Sequence, residues 1–343
     1  MRVGICGYGS SASGMHVPRI VESSFLELAA VYDPTPSQRE AAGKLPGVTV
    51  YDDYGRMLRE AGVELVVIVA PSNLHAPLAV QALDAGKHVV TDKPMALNAD
   101  EARTMIAARD RAGKTLSIYQ NRRWDADYRF VRDAIASGEL GEVFSIESRI
   151  TDFGTYEGYA VKGFRPRWRL ERKYGGGILY DWGSHQIDQV LHLLGELPGS
   201  VYGRLESRMW SQEVDDFYSA VLSFDRTRVV LEGSHISRYA PPRWCVVGSK
   251  GTLVIEFWGR GDTRPRIYRE LAGVQGMWQG EGPVTGMGQL EAWRPFYEAL
   301  ETALQGKGPA PVSAEDGLRT AIVMDAVRES ASTGRAVELP ANA

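Results

Sequence analysis

Residues Tyr180–Asp188 read YDWGSHQID, two carboxylates and a histidine in one short stretch just after a run of three glycines. If a helix begins at Asp181, then Asp181 and His185 fall at i and i+4 on one face. His185 and Asp188 fall at i and i+3, and His192 continues the stripe. These residue types allow three readings. An imidazole beside a carboxylate can move a proton near neutral pH. His185, Asp188 and His192 can offer nitrogen and oxygen to a metal. Alternatively, the stretch is a capped polar helix whose histidine is satisfied internally. There is no H-E-x-x-H motif and no evident fourth ligand, so the metal reading is the weakest and no metal is expected.

The proton-transfer reading needs a partner for the other half of a reaction, and the N-terminus offers one. Gly7-Tyr8-Gly9-Ser10-Ser11-Ala12 fits the dinucleotide fingerprint G-x-G-x-x-G/A, with Ala12 in the third place. Gly7 permits the tight turn, Gly9 lets backbone approach a pyrophosphate, and the third position needs only a small residue. The pyrophosphate would then lie at a helix N-terminus, where free N–H groups and the dipole favour anions. Asp33 ends the next apolar run, near the spacing expected for a carboxylate on the ribose hydroxyls. A carboxylate there repels a 2′-phosphate, and Pro34-Thr35-Pro36 offers no arginine to receive one, so NAD is expected. NADP stays open because Arg39 could reach in.

Two further strand ends carry polar groups. Thr91-Asp92-Lys93-Pro94 follows an apolar run, and in open α/β sheets ligands bind at the carboxyl ends of strands. A lysine there can orient a hydroxyl and stabilise a developing alkoxide, and the X-Pro bond is a candidate cis peptide. Ala70-Pro71-Ser72-Asn73-Leu74-His75 ends the neighbouring run with small and polar groups, which suits a loop against a nicotinamide ring; His75 alone reads as a helix-start residue.

The elements that must position these groups are legible as patterns. Apolar runs at RVGIC, LELAAVYD, VELVVIVAP, KHVVTDKP and TLSIYQ alternate with helix-like segments Pro36–Gly43, Asp53–Ala61, Ala76–Ala85 and Asn98–Ala112. Strand and helix in alternation predict a doubly wound α/β parallel sheet over residues 1–121. After a helix-like stretch Asp125–Ser137 the runs lengthen and several alternate: Glu142–Ile150, Val201–Arg208, Phe217–Phe224, Arg228–Ser237, Arg243–Gly248 and Thr252–Trp258. This predicts an α+β second domain, 122–343, on a large open, mostly antiparallel sheet. Ser249-Lys250-Gly251 reads as a hairpin connection. Helices are expected over Glu291–Gln305 and Ala314–Thr333, the latter capped by Ser313 and Asp316.

The bulk properties exclude several classes. The 343 residues include 39 Lys and Arg against 43 Asp and Glu, a net charge of −4. A mildly acidic chain lacks the basic footprint of a nucleic-acid or anionic-membrane binder. Apolar runs fall far short of a membrane span and no signal peptide is evident. Cys6 and Cys245 form neither a disulfide framework nor a metal spacing, and a reducing cytoplasm is expected.

GICGYGSSA, VIVAPSNLH, AGKHVVTDKP, YQNRRWDADY, GELGEV and GGGILYDWGSHQID occur in the order of the Gfo/Idh/MocA family of NAD(P)-dependent oxidoreductases, and the chain resembles it over nearly its whole length. NRRWD and the second domain look most like the inositol dehydrogenase and sugar-reductase branch. The family's strand-end motif usually reads Glu-Lys-Pro; Asp92 is one methylene shorter. The resemblance implies a Rossmann domain, a substrate domain on an open sheet, a C-terminal helix (about 314–333) returning to the first domain, and homo-oligomers through the open sheet. It implies Lys93, Asp181 and His185 as catalytic residues. Cofactor contacts are expected from Gly7, Tyr8, Gly9, Ser11, Ala12, Asp33, Ala70, Pro71, Ser72, Asn73, His75, Asp92, Lys93, Pro94 and Asn121.

The expected substrate is a sugar or cyclitol. Lys93, Asp181 and His185 would meet its reacting carbon, Arg122, Arg123, Tyr156 and Arg165 its hydroxyls, and Trp168 its apolar face; His235 could also reach inward. Trp124 and Tyr128 read as core, and Trp210 and Trp258 as surfaces a partner subunit covers. Three functions stay open: an NAD(P)-dependent sugar or polyol dehydrogenase, an NAD-dependent glycosidase using transient oxidation, and a non-catalytic cofactor sensor.

Overall fold

The computed structural model describes residues 1–154, 168–256, 265–271, 274–279 and 293–340. The chain separates into two compact units. The first comprises residues 1–120, 155–176 and 294–321, and the second residues 121–154, 177–293 and 322–343.

The first unit is built on six parallel strands: β1 (Arg2–Cys6), β2 (Glu27–Tyr32), β3 (Thr49–Tyr51), β4 (Leu65–Ile68), β5 (His88–Asp92) and β6 (Leu116–Tyr119). Their order is β3-β2-β1-β4-β5-β6, so the winding reverses between β1 and β4. That reversal is where the loops after β1 and β4 part, opening the crevice in which such sheets bind dinucleotides. β4 explains its all-apolar sequence: Leu65, Val66, Val67 and Ile68 are all fully buried, as a strand covered on both faces requires. β3, an edge strand of three residues, is too short to stand out as an apolar run.

Between the strands lie α1 (Val17–Glu22), α2 (Pro36–Ala42), α3 (Tyr54–Glu60), α4 (His75–Asp84) and α5 (Ala99–Ala112). Asp53 caps α3 by accepting the Arg56 N–H at 2.6 Å. Asn98 caps α5 by accepting the Glu101 N–H at 2.9 Å, while Glu101 accepts the Leu97 N–H at 3.0 Å.

The second unit opens with α6 (Ala126–Ala136) and carries α7 (Ser184–Leu194). Among the described residues its sheet has nine strands: β7 (Val143–Thr151), β8 (Ser200–Glu206), β9 (Phe217–Ser223), β10 (Arg228–Ser234), β11 (Trp244–Gly248), β12 (Thr252–Ile255), β13 (Arg266–Leu271), β14 (Val274–Gln279) and β15 (Val337–Glu338). The order is β14-β13-β12-β11-β7-β10-β9-β8-β15. β7 and β10 pair parallel and the remaining pairs are antiparallel. Ile146, Ser148, Tyr218, Ala220, Leu231, Trp244 and Val246 are buried on one face.

The other face stays partly accessible. There the register aligns Tyr202, Val221, Val230, Glu147, Cys245, Val254 and Arg266 in one row across seven strands. β8 stops at Glu206, short of the Arg208 its pattern suggests. The N–H groups of Arg208, Met209 and Trp210 turn instead to the buried Asp216 carboxylate, at 2.9, 2.6 and 2.9 Å.

Two helices, α8 (Arg294–Leu304) and α9 (Ala314–Thr333), precede β15. Residues 291 and 292, placed by pattern at the start of α8, lie outside the described residues, as does Trp258. Ser313 accepts the Asp316 N–H at 3.0 Å and caps α9. The start of α9 packs in the first unit, where a Cβ on Gly317 would come within 2.5 Å of the Met95 sulfur. Its later turns pack in the second, where Ser330 accepts the Gly203 N–H at 2.8 Å.

Candidate active site

In the first unit the glycine loop is shaped by contact. Gly7 has φ +95°, and a Cβ there would lie 2.2 Å from the Val69 carbonyl oxygen, so only glycine fits. The Asp33 carboxylate accepts the Tyr8 N–H and the Thr35 N–H, each at 2.7 Å. A carboxylate has about four acceptor positions, so Asp33 retains capacity for ribose hydroxyls. Arg39 caps the same turn, donating to the carbonyls of Asp33 and Pro34 at 2.9 Å. Ala12 is fully buried, as the third fingerprint position requires. It opens a π-helical turn, Ala12–His16, that runs into α1. Below the loop, Cys6 is buried, and burial with the Asp33 charge pushes its thiol well up.

The strand-end turns are held from several sides. The Lys93–Pro94 peptide is cis. Asp92 accepts from Ser11 Oγ at 2.9 Å and from His16 Nε2 at 2.9 Å. Burial, the largest single effect, would raise its pKa, but His16, His75 and the Ser11 hydrogen bond together outweigh it and hold the carboxyl below its ordinary value. His75 faces two carbonyls, Pro94 O at 2.7 Å from Nδ1 and Ala70 O at 2.9 Å from Nε2. Two carbonyls favour a doubly protonated ring and burial disfavours it; burial is the larger effect and lowers its pKa. His75 thus ties the end of β4 to the turn after β5. Ser72 is buried, and Ala70, Pro71 and Lys93 are partly so. The Asn73 side-chain oxygen is buried with no hydrogen-bond partner among the described residues, an acceptor awaiting a donor.

Trp168 stands in a short helical turn with the Arg169 guanidinium over its ring at 4.4 Å. Tyr156 and Arg165 lie outside the described residues.

The three glycines before the opening motif each meet a different wall. A Cβ would come within 2.3 Å of Leu97 at Gly175, of the Arg169 carbonyl at Gly176 and of the Asp215 carboxylate at Gly177. The motif itself is not one regular helix. Leu179–Gly183 is a π-helical turn that leads into α7, so Asp181 lies on the π turn and His185 on the first turn of the α-helix. π turns inside helices recur at functional sites. Asp215 accepts the Leu179 N–H at 2.8 Å, and burial pushes its carboxyl up to about 6.

α7 is locked by its polar residues. Asp188 takes a bidentate pair from Arg123, at 2.7 and 2.8 Å. Gln186 donates to the Ser148 carbonyl at 2.7 Å and accepts from Tyr218. Gln189 donates to the Arg122 carbonyl at 2.9 Å and accepts from Arg243 at 2.9 Å. His192 bonds Tyr128 through Nδ1. Arg123 is therefore committed to α7, and Asp188 and His192 have protein partners in place of a metal. Among the described residues no group of three His, Cys, Asp or Glu stands ready to hold one.

His185 is buried, its ring centroid 5.8 Å from that of Trp182. Arg122 pairs with Asp125 at 2.9 Å and lies over the Trp182 and Trp293 rings at 5.0 and 5.6 Å. Asn121 is buried at the head of this segment. His235, just beyond β10, is pushed down to about 4 by burial, against the opposing pull of Asp181, Asp152 and Asp216.

Comparison with known proteins agrees with these features. Residues 1–120 match the model of an oxidoreductase family with an NAD-binding Rossmann fold, and residues 128–254 match the GFO/IDH/MocA C-terminal domain. The chain is 32% identical to the oxidoreductase YdgJ of Escherichia coli over 96% of each chain. It is 27% identical to the scyllo-inositol 2-dehydrogenase (NADP(+)) IolW of Bacillus subtilis, over 99% of this chain and 96% of that one. Aldose-aldose oxidoreductase from Caulobacter crescentus superposes with a TM-score of 0.82 at 26% identity, covering 99% of both chains.

Proposed function

Because this chain belongs to the Gfo/Idh/MocA family of NAD-binding oxidoreductases, we propose that it interconverts a secondary hydroxyl and a ketone on a cyclic polyol or sugar. The observation that carries the reading is the turn Asp92-Lys93-Pro94, bonded to the glycine loop through Ser11 at the carboxyl end of β5. A cationic residue at that strand end suits a role beside a dinucleotide bound at the crevice. Gly7 and the Asn73 oxygen fit that ligand too, the first by close approach and the second as an acceptor. IolW acts on an inositol, and the Caulobacter structure is named for aldoses, which favours the same substrate class here.

When bound, the nicotinamide supplies the hydride acceptor. His185 takes the hydroxyl proton on a ring nitrogen and returns it in the reverse direction. Asp181 orients the imidazole or neighbouring hydroxyls, and the Lys93 ammonium stabilises the oxygen as it gains charge. Asp33 favours NAD; Arg39, held at the same turn, is the residue through which NADP would enter. The accessible face of the nine-stranded sheet, with Tyr202, Val221 and Val230, covers a second copy of the chain. A cytoplasmic location suits the two free cysteines. No described helix is long and apolar enough to cross a membrane.

The test is a panel of cyclitols, aldoses and glycosides with NAD and NADP, followed by absorbance of the reduced cofactor. Reduced cofactor from at least one cyclitol or aldose is the expected result. Glycoside cleavage without net reduction would replace the dehydrogenase by a redox-neutral glycosidase, and no turnover of any member would refute the substrate class.

A further inference from the structure

A chain of side chains, buried at His16 and Tyr297 and half-buried at Asp92 and Ser11, links the glycine loop to the lysine turn. His16, the last residue of the π turn Ala12–His16, is fully buried. Its ring lies 4.3 Å from that of Tyr119, which neighbours Asp92 across the β5–β6 pairing. Nε2 is 2.9 Å from Asp92 Oδ1, and Nδ1 is 2.6 Å from the Tyr297 hydroxyl on α8. The second Asp92 oxygen accepts from Ser11, one residue before Ala12. An ionised carboxylate only accepts, so the His16 Nε2 carries hydrogen, while the Tyr297 hydroxyl, which can both donate and accept, complements Nδ1. Every hydrogen-bonding atom in the chain Tyr297–His16–Asp92–Ser11 has a complementary partner.

The arrangement also accounts for aspartate at this strand end. The π turn brings the imidazole to within hydrogen-bond distance of a short side chain. Asp92 and Lys93 are adjacent, so a carboxylate fixed at 92 fixes the backbone from which Lys93 departs.

We propose that His16 is a positioning residue: through Asp92 it locks the dinucleotide loop to the Asp92-Lys93-Pro94 turn, so that cofactor binding and the placement of Lys93 are coupled. Leaving a half-buried carboxylate without its partner is costly. Loss of the His16 donor therefore drives Asp92 toward water and displaces Lys93, and a misplacement of about 1 Å can cost about 100-fold in rate. The proposal rests on the dehydrogenase reading for Lys93, but the link itself can be read from cofactor binding alone.

The experiment uses the full-length protein and compares His16→Phe, His16→Gln, Asp92→Asn and the double variant His16→Phe/Asp92→Asn. NADH affinity is measured by fluorescence titration and turnover at saturating cofactor. Phenylalanine keeps the packing on Tyr119 without the donor. Its kcat should fall roughly 10- to 100-fold with weaker NADH binding. Glutamine restores an N–H and should recover most of the loss. The double variant removes the stranded charge and should outperform His16→Phe alone, a non-additivity that lost packing does not produce. A His16→Phe enzyme within about twofold of the parent in both readouts, or strict additivity in the cycle, overturns the proposal. If His16→Phe does not fold, the Ser11→Ala and Asp92→Asn cycle reads the same link. Non-additive losses in NADH affinity uphold it and additive ones overturn it. If no polyol is oxidised, the substrate assignment fails while the NADH cycles still decide the coupling.

Discussion

The Arg123–Asp188 pair is the sharpest test of how α7 is held. Both side chains are buried, and the guanidinium meets the carboxylate in two parallel bonds of 2.7 and 2.8 Å. Asp188→Ala takes that carboxylate away from a buried cation, and breaking such a pair costs about 3–5 kcal/mol. For a unit of this size each kcal/mol lowers Tm by about 2–4 °C, so a fall of roughly 6–20 °C is expected in a calorimetric melt. Arg123→Met/Asp188→Leu removes both charges and should regain much of the loss, because well-packed apolar replacements of buried pairs are often neutral or better. His185 lies one turn before Asp188, so the single variant should also lose turnover below its melting range. A Tm within about 1 °C of the parent, or a double variant no more stable than Asp188→Ala, would refute the account of α7 as a helix held by its buried charges.

Three further outcomes follow from the geometry. His185→Ala should lower turnover about 10²–10⁴-fold while NADH affinity, measured by fluorescence, stays unchanged; a variant with full turnover removes His185 as the acid/base group. Asp215 and His235 should pull the stability profile in opposite directions. Burial raises Asp215 from its ordinary 3.8 to about 6, so its contribution is present below pH 4 and lost as pH rises through about 6; burial lowers His235 from 6.5 to about 4, so its contribution is present above 6.5 and lost as pH falls through about 4. Each is worth about 3 kcal/mol. Relative to the parent, Asp215→Asn should steepen the rise in urea midpoint between pH 4 and 6.5 and His235→Asn should flatten or invert it; parallel profiles would contradict both assignments. Val230→Glu, on the accessible face of the sheet, should shift the mass in sedimentation velocity toward the monomer, and an unchanged mass would place the subunit contact elsewhere.

What was legible in the sequence and what was not divides along one physical line. Strand and helix positions follow from local periodicity, and β1, β2, β4, β5 and β6 all lie within the apolar runs that predict them. The glycine fingerprint was legible because its requirement is local: Gly7 must admit the Val69 carbonyl. The spacing i, i+4 for Asp181 and His185 presumes 3.6 residues per turn, and the π turn at Leu179–Gly183 breaks that presumption. A second π turn, at Ala12–His16, hid His16, which reads locally as an ordinary residue near a helix start.

The same limit applies to the polar residues. Asp188 reads from the sequence as a helix-packing residue and Arg123 as a candidate for substrate hydroxyls, and that the two pair with each other is not visible, because a side chain's chemistry can be read in a sequence and its partner cannot. Asp92 was set apart by what it lacked relative to glutamate, yet its length matters only against His16 and Ser11, which come from the other end of the same unit. Pattern therefore locates the elements that carry a site. Which of two identical side chains acts on a ligand and which holds a helix is decided by contacts between residues far apart in the chain, and no periodicity encodes those.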